Sequence, residues 1–309
     1  MVAIGFSRAA TNPFILRYNR LIYPTSHYYI SQRLKLHYTD WGNPGAPLLI
    51  LIHGGKDHCR SWDWVAERLR DDWHVVAPDL RGHGDSAWAP DGNYASNAFI
   101  YDIAQLVQNL SADKKVRIVA HSLGGAMALR YAGLYPDKVE KLVAIEGLRP
   151  LSPPDKASEE KPSLDRLRDW IETKQKNAAR GTKCYSNFDE AYQRMKAANQ
   201  QLSDEQVRHL TWHALNRNED GSYSWKFDYH LNALSPIDLS SDVLHDLWGA
   251  ITCPTWLMWG ENSWASSPES DGRLSHFRNA EVIAYENAGH WLHHDQFDSF
   301  VSDLNKILP

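Results

Sequence analysis

Short apolar runs alternate with amphipathic ones along most of this chain. Pro47–His53 (PLLILIH), Val75–Pro78 (VVAP), Val116–Ala120 (VRIVA), Leu142–Ile145 (LVAI), Thr255–Trp259 (TWLMW) and Val282–Tyr285 (VIAY) are too short for helices. They are apolar almost throughout, as strands covered on both faces must be. Ahead of them, Leu34, Leu36 and Tyr38 alternate with Lys35 and His37, which predicts an antiparallel edge strand. Phe99, Ile103, Leu106, Val107 and Leu110 mark one helical stripe, with Ser96 as its expected N-cap. Phe297, Phe300, Val301 and Leu304 mark another. Strand–helix alternation of this kind predicts an α/β fold: a doubly wound, mostly parallel sheet with right-handed crossovers. Such sheets bind ligands at the carboxyl ends of their strands.

The rhythm breaks between about residues 150 and 250. A polar, Pro-rich stretch, SPPDKASEEKPS (152–163), leads into helix-like segments around 164–178, 187–199 and 204–216. Ser186-x-x-Asp189 and Ser203-x-x-Gln206 resemble capping boxes. Asp220-Gly221 signals a turn, after which Tyr223, Trp225 and Phe227 alternate with polar residues as on a half-buried strand. A hundred residues is too much for a structureless loop. The expectation is a discontinuous core, 1–148 and 250–309, carrying a helical cap or lid at 149–249. Residues 13–24 (PFILRYNRLIYP) are apolar enough to pack on the core or on a partner.

Composition narrows the partners. The 309 residues are 43% hydrophobic and 23% charged, with a net charge of −5 and no basic block. That argues against nucleic acid or an anionic membrane surface, and leaves a small molecule as the expected partner. No apolar run approaches the roughly 18 residues of a membrane span. The opening MVAIGFSRAATNPF lacks a basic segment followed by a long apolar one, and the three cysteines are widely spaced. Together these predict a cytoplasmic protein without a disulfide framework. Thirteen tryptophans ask for a large aromatic core or an aromatic-lined pocket.

The sharpest chemical signal is VRIVAHSLGGAMALRYAG (116–133): a buried strand, a tight turn holding Ser122, then a helix rich in small residues. A serine so placed is pushed out at the top of the sheet. Strand and helix nearly touch there, which requires small neighbours such as Ala120, Gly124 and Gly125. Earlier, a strand ends in His53-Gly54-Gly55, where backbone N–H groups are free to approach a ligand. Gly55 and Leu123 are the candidate oxyanion donors. His290, in a Gly-containing loop after the last strand, stands where a base for Ser122 must come from. His293, His294 and Asp295 superficially suggest a metal cluster, but consecutive histidines do not readily aim at one ion, and no metal or other cofactor is expected.

The segments HGG (53–55), PDLRGHGDS (78–86), AHSLGG (120–125) and NAGHWLHHDQF (287–297) resemble those of cap-bearing serine hydrolases of the α/β-hydrolase fold. By that resemblance Ser122 is the nucleophile and His290 the base, with Gly55 and Leu123 donating to the oxyanion. The 78–86 turn braces loops. Family members commonly carry an aspartate three residues after a glycine like Gly260, and here that position is Ser263. A serine cannot hold a negative charge opposite an imidazolium. Three alternatives stand: Glu261 serves from two residues away, the acid is missing, or it has moved to a neighbouring strand. Glu146, closing the apolar strand KLVAI, is the strongest candidate for the last. A charge at that place needs a partner. Some α/β hydrolases, certain thioesterases among them, place their acid after this strand.

A serine nucleophile excludes the dehalogenase and epoxide-hydrolase chemistries, which need a carboxylate to form an alkyl-enzyme ester. The expectation is hydrolysis of a carboxylic ester or thioester of a small, apolar or aromatic substrate. Trp62, Trp264 and Trp291 are the candidate pocket residues. A C–C bond (vinylogous diketone) hydrolase, a lactonase, and a non-catalytic small-molecule receptor are the rivals.

Overall fold

Why six apolar runs form the parallel part of one sheet is visible in how the side chains of its inner strands divide. In the computed structural model, which describes residues 23–148, 162–233, 236 and 238–309, strand β3 (Leu48–Ile52) sends Ile50 and Ile52 to one face and Leu49 and Leu51 to the other. All four are fully buried. In β5 (Val116–His121) and β6 (Val139–Ile145) the apolar residues divide in the same way, Ile118, Ala120, Leu142 and Ala144 to one core and Val119, Val143 and Ile145 to the other, and the polar positions Arg117, Glu140 and Lys141 fall near the strand starts. The sheet is completed by β1 (Thr25–Ser31), β2 (Leu34–Asp40), β4 (His74–Pro78), β10 (Thr255–Gly260) and β11 (Ala280–Tyr285). Its eight strands run in the order β1-β2-β4-β3-β5-β6-β10-β11. From β4 to β11 every pairing is parallel; β1 and β2 are antiparallel additions.

Helices cover both faces. Helices α2 (Ser96–Leu110) and α3 (Ser122–Leu134) pack Phe99, Ile103 and Met127 on one side. α1 (Asp63–Leu69) packs Val65 and Leu69 on the other, where the C-terminal helix described below joins it. Between β6 and β10 lie α4 (Ser163–Arg180), β7 (Cys184–Tyr185), α5 (Phe188–Ala198), α6 (Asp204–Ala214), β8 (Leu215–Arg217), β9 (Tyr223–Trp225) and α7 (Ser241–Ala250). The chain ends with a single turn, α8 (Leu292–Asp295), and α9 (Phe297–Ile307), which adds Phe300 and Leu304 to the second core.

Several expectations need correction. β2 is not the edge strand; β1 lies outside it, paired antiparallel from Thr25↔Asp40 to Ser31↔Leu34. Ser96 is not the N-cap of α2. That place belongs to Ala95, and the Ser96 hydroxyl instead donates to Asp238 at 2.6 Å. Of the two capping boxes, Ser203 and Gln206 form one as expected, but the cap of α5 is Asn187, one residue later than Ser186. The excursion is not purely helical, because β7, β9 and β8 form a small antiparallel sheet. The apolar stretch 13–22 and most of the Pro-rich run 152–163 lie outside the described residues.

One close approach fixes the geometry used below. Gly125 on α3 and Gly147 after β6 touch backbone to backbone: a Cβ on Gly147 would lie 2.6 Å from the carbonyl carbon of Gly125. Helix and strand end are pressed together only because both lack side chains. Gly147→Ala is therefore expected to cost about 1–3 kcal/mol by overpacking. A urea titration at neutral pH checks this; an unchanged midpoint would mean the helix yields freely.

Candidate active site

The chain leaves β5 and turns abruptly into α3 at Ser122, whose φ of 49° is in the left-handed region. A non-glycine residue held there costs about 1–2 kcal/mol, and the close strand–helix packing on either side holds it. Ser122 then sits at the first turn of α3, half-buried, beside the unpaired N–H groups with which every helix begins. Gly55 lies next to the following residue: a Cβ on it would stand 3.9 Å from Leu123. The two expected oxyanion donors are thus neighbours.

His290 Nε2 is 3.0 Å from Ser122 Oγ, and its Nδ1–H donates to Glu146 Oε2 at 2.5 Å. The structure therefore brings together Ser122, His290 and Glu146, and it supplies a physical account of the acid's position. Glu146 takes a φ of 48°, the same left-handed turn that Ser122 adopts one strand away. Its carboxylate is buried and held from two further directions. The Gly260 N–H donates to Oε1 at 3.1 Å, and the Ser263 hydroxyl donates to Oε2 at 2.7 Å. Ser263, at the place usual for the family's aspartate, has become a hydrogen-bond donor to the relocated acid. Glu261 is exposed and its backbone N–H pairs with Tyr285; no contact links its carboxylate to His290.

The loop carrying His290 is braced from below. His121 Nε2–H donates to the His290 carbonyl at 2.8 Å, and the Gly289 N–H donates to Asp295 at 2.8 Å. Burial, and the neighbouring His290, push the His121 imidazole well below its ordinary pKa, so it stays neutral. His293 is fully buried, stacked on Trp62 at 4.7 Å between ring centroids and packed against His121 at 4.8 Å. Sequence reasoning missed the parts played by Ser263, His121 and Asp295. Each acts through geometry that only the folded loops define.

The tryptophans divide. Trp264, exposed, and Trp291, half-buried, flank His290 with ring centroids 4.8 and 5.3 Å away. Trp62 has no exposed surface and belongs to the core beneath α1, so its expected pocket role is corrected. A cavity of about 250 Å³ adjoins Glu146 and Trp264, with Leu148, Leu257 and Arg273 also in its wall. It borders the acid and not Ser122.

The 78–86 turn supports the same region from a distance. Asp79 accepts from His37 Nδ1–H at 2.7 Å and from the backbone N–H groups of Cys59 and Asp85. Despite full burial, these bonds hold its carboxyl well below the usual range. His53 Nε2 accepts from the Leu80 N–H at 3.0 Å, a structural task.

A sequence model of the α/β hydrolase fold matches residues 47–297. This chain belongs to the α/β-hydrolase family. A serine hydrolase-like protein of Danio rerio is 32% identical over 212 residues, which are 67% of this chain and 63% of that protein. This α/β hydrolase is also 27% identical to an esterase of Mycobacterium tuberculosis over 274 residues, 87% of this chain and 84% of the esterase. Other relatives carry the name epoxide hydrolase. Among solved structures, the thioesterase domain of the curacin biosynthetic pathway superposes with a TM-score of 0.78 at 24% identity, covering 92% of this chain and 99% of that one. At that identity the likeness speaks for the fold alone. Among the described residues no helix is long and apolar enough to cross a membrane.

Proposed function

We propose that this α/β hydrolase cleaves a carboxylic ester or thioester of a small, apolar or aromatic molecule through an acyl-enzyme on Ser122. The observation that carries the reading is the unbroken chain from Ser122 Oγ through His290 to Glu146, at 3.0 and 2.5 Å. In it, His290 Nε2 takes the Ser122 proton as Oγ attacks the carbonyl carbon. Glu146 keeps the imidazole in the tautomer with Nδ1–H and faces the imidazolium that forms. The N–H groups of Gly55 and Leu123 receive the oxyanion, each worth about 10²–10³ in rate. The tetrahedral adduct collapses as His290 gives its proton to the leaving oxygen or sulfur. Water, activated by the same histidine, then releases the acid.

A serine on the elbow cannot supply the carboxylate that epoxide opening by an alkyl-enzyme ester needs. The receptor reading rested on a missing acid, and Glu146 removes that support. Residues 149–249 are proposed to act as the cap, since His58, Arg60 and Asp85 on the core bond to Leu210, His213 and Lys226 on the excursion.

The test is a panel of chromogenic esters and thioesters of increasing acyl length, with a vinylogous diketone as the C–C control. Turnover of the esters by the parent protein, and its loss by at least about 10³ in Ser122→Ala, is expected. Preferential cleavage of the diketone would overturn the ester assignment.

A further inference from the structure

Asp63, His209 and His213 belong to distant parts of the chain and meet at the seam between core and excursion. Asp63 opens α1. His209 and His213 stand four residues apart on α6, so their side chains leave the same helix face one turn apart. One ligating atom from each of the three lies within 4.8 Å of the others. His209 Nε2 is 3.1 Å from Asp63 Oδ2. Two ligands held about 2.1 Å from one tetrahedral ion would be about 3.4 Å apart, so this edge needs little change.

The place already holds a cation. The Arg60 guanidinium lies on the Asp63 carboxylate, with Nη2 2.6 Å from Oδ2, and its Nη1–H donates to His213 Nδ1 at 3.4 Å. A ring nitrogen that accepts a hydrogen bond carries a lone pair, as a metal ligand must. The seam is also open to water: the side chains of Arg60, Asp63 and His209 are 21%, 9% and 26% exposed. Arg60 can therefore swing outward and leave its positive charge to be replaced.

We propose that Asp63, His209 and His213 bind one divalent transition-metal ion of the zinc, cobalt or nickel class, with Arg60 displaced and solvent completing a four-coordinate shell. Imidazole with one carboxylate suits this class, and three protein ligands plus water is a common zinc arrangement. His209 carries its proton on Nδ1 in the bound form, freeing Nε2. The ion clamps α6 to α1. It does so beside His58, which donates to the Leu210 carbonyl on α6 at 3.0 Å and lies three residues after Gly55. The clamp thus stiffens the seam next to the loop that carries the proposed oxyanion donor. It is separate from His293 and His294, and it does not depend on which bond the enzyme cleaves.

The experiment is calorimetric titration of the tag-free full chain with zinc chloride, with the visible absorption of cobalt(II) as a second probe. One ion per chain is expected. His209→Ala and His213→Ala should each weaken binding by more than about tenfold, since even outer partners of metal ligands cost that much. Arg60→Ala should tighten binding, because it removes the competing cation. A gain cannot come from misfolding, so this variant separates a lost ligand from a damaged protein. Unchanged affinity in both histidine variants, weaker binding in Arg60→Ala, or no stoichiometric binding would overturn the proposal.

Discussion

Glu146→Gln is expected to lower kcat on the best ester by on the order of 10³–10⁴ while leaving KM within a few-fold. The amide keeps the size of the side chain, and its one carbonyl oxygen can still accept at one of the two positions, from Gly260 or from Ser263. What it loses is the charge opposite the imidazolium and the preference for Nδ1–H on His290. Glu261→Gln should be silent, because that side chain is exposed and the residue's own backbone N–H pairs with the Tyr285 carbonyl, away from His290. A second substitution sharpens the point. Ser263 Oγ and His290 Nδ1 meet at the same oxygen of Glu146, at 2.7 and 2.5 Å. An aspartate at position 263 would bring a carboxylate to that meeting point once Glu146 is gone. Glu146→Ala/Ser263→Asp should therefore recover part of the activity that Glu146→Ala loses. Steady-state kinetics on all four variants decides between this account and one in which Glu146 only braces the strand.

Acid should destabilise the fold well before its carboxylates titrate. Burial pushes His83 and His294 down to about 3, against an ordinary value near 6.5. The sign follows from proton counting. Below about pH 6.5 the unfolded chain binds a proton at each of these histidines and the folded chain does not, so stability falls with pH until about pH 3. Each pH unit in that window costs about 1.4 kcal/mol per histidine. At pH 5 the two together cost about 4 kcal/mol, a large share of a typical stability. His53, His58, His121 and His293 are shifted downward by burial too and act in the same direction. Urea midpoints measured from pH 8 to pH 5 should fall steeply below about pH 6.5. A flat profile would mean that these imidazoles are not held neutral.

The same residues show what could be read from the chain. The central strands were legible because both faces of the sheet are covered, which leaves an apolar run with little ambiguity. Ser122 and His290 were legible because a strand–turn–helix with small flanking residues and a Gly-containing loop before the last helix are local patterns. Glu146 could be named only by a deficit, the serine at 263, together with a charge at the end of an apolar strand. Its left-handed backbone and its bond from Ser263 are products of tertiary packing and leave no periodic trace. β1 was missed because an exposed edge strand buries few of its side chains, here Tyr29 and Ser31. Trp62 was misplaced for the opposite reason. A tryptophan near a site looks the same in sequence whether it lines a pocket or, as here, lies in the core behind it.

The most direct test of the central claim uses no guess about the substrate. A fluorophosphonate probe reacts only with a serine whose proton is taken by a neighbouring base, and intact-protein and peptide mass spectrometry locate the label. The account predicts one label per chain, on Ser122, formed far more slowly in Glu146→Gln and absent in His290→Ala. A label elsewhere, or labelling of Ser122 at the parent rate in both variants, would contradict a Ser122–His290–Glu146 triad.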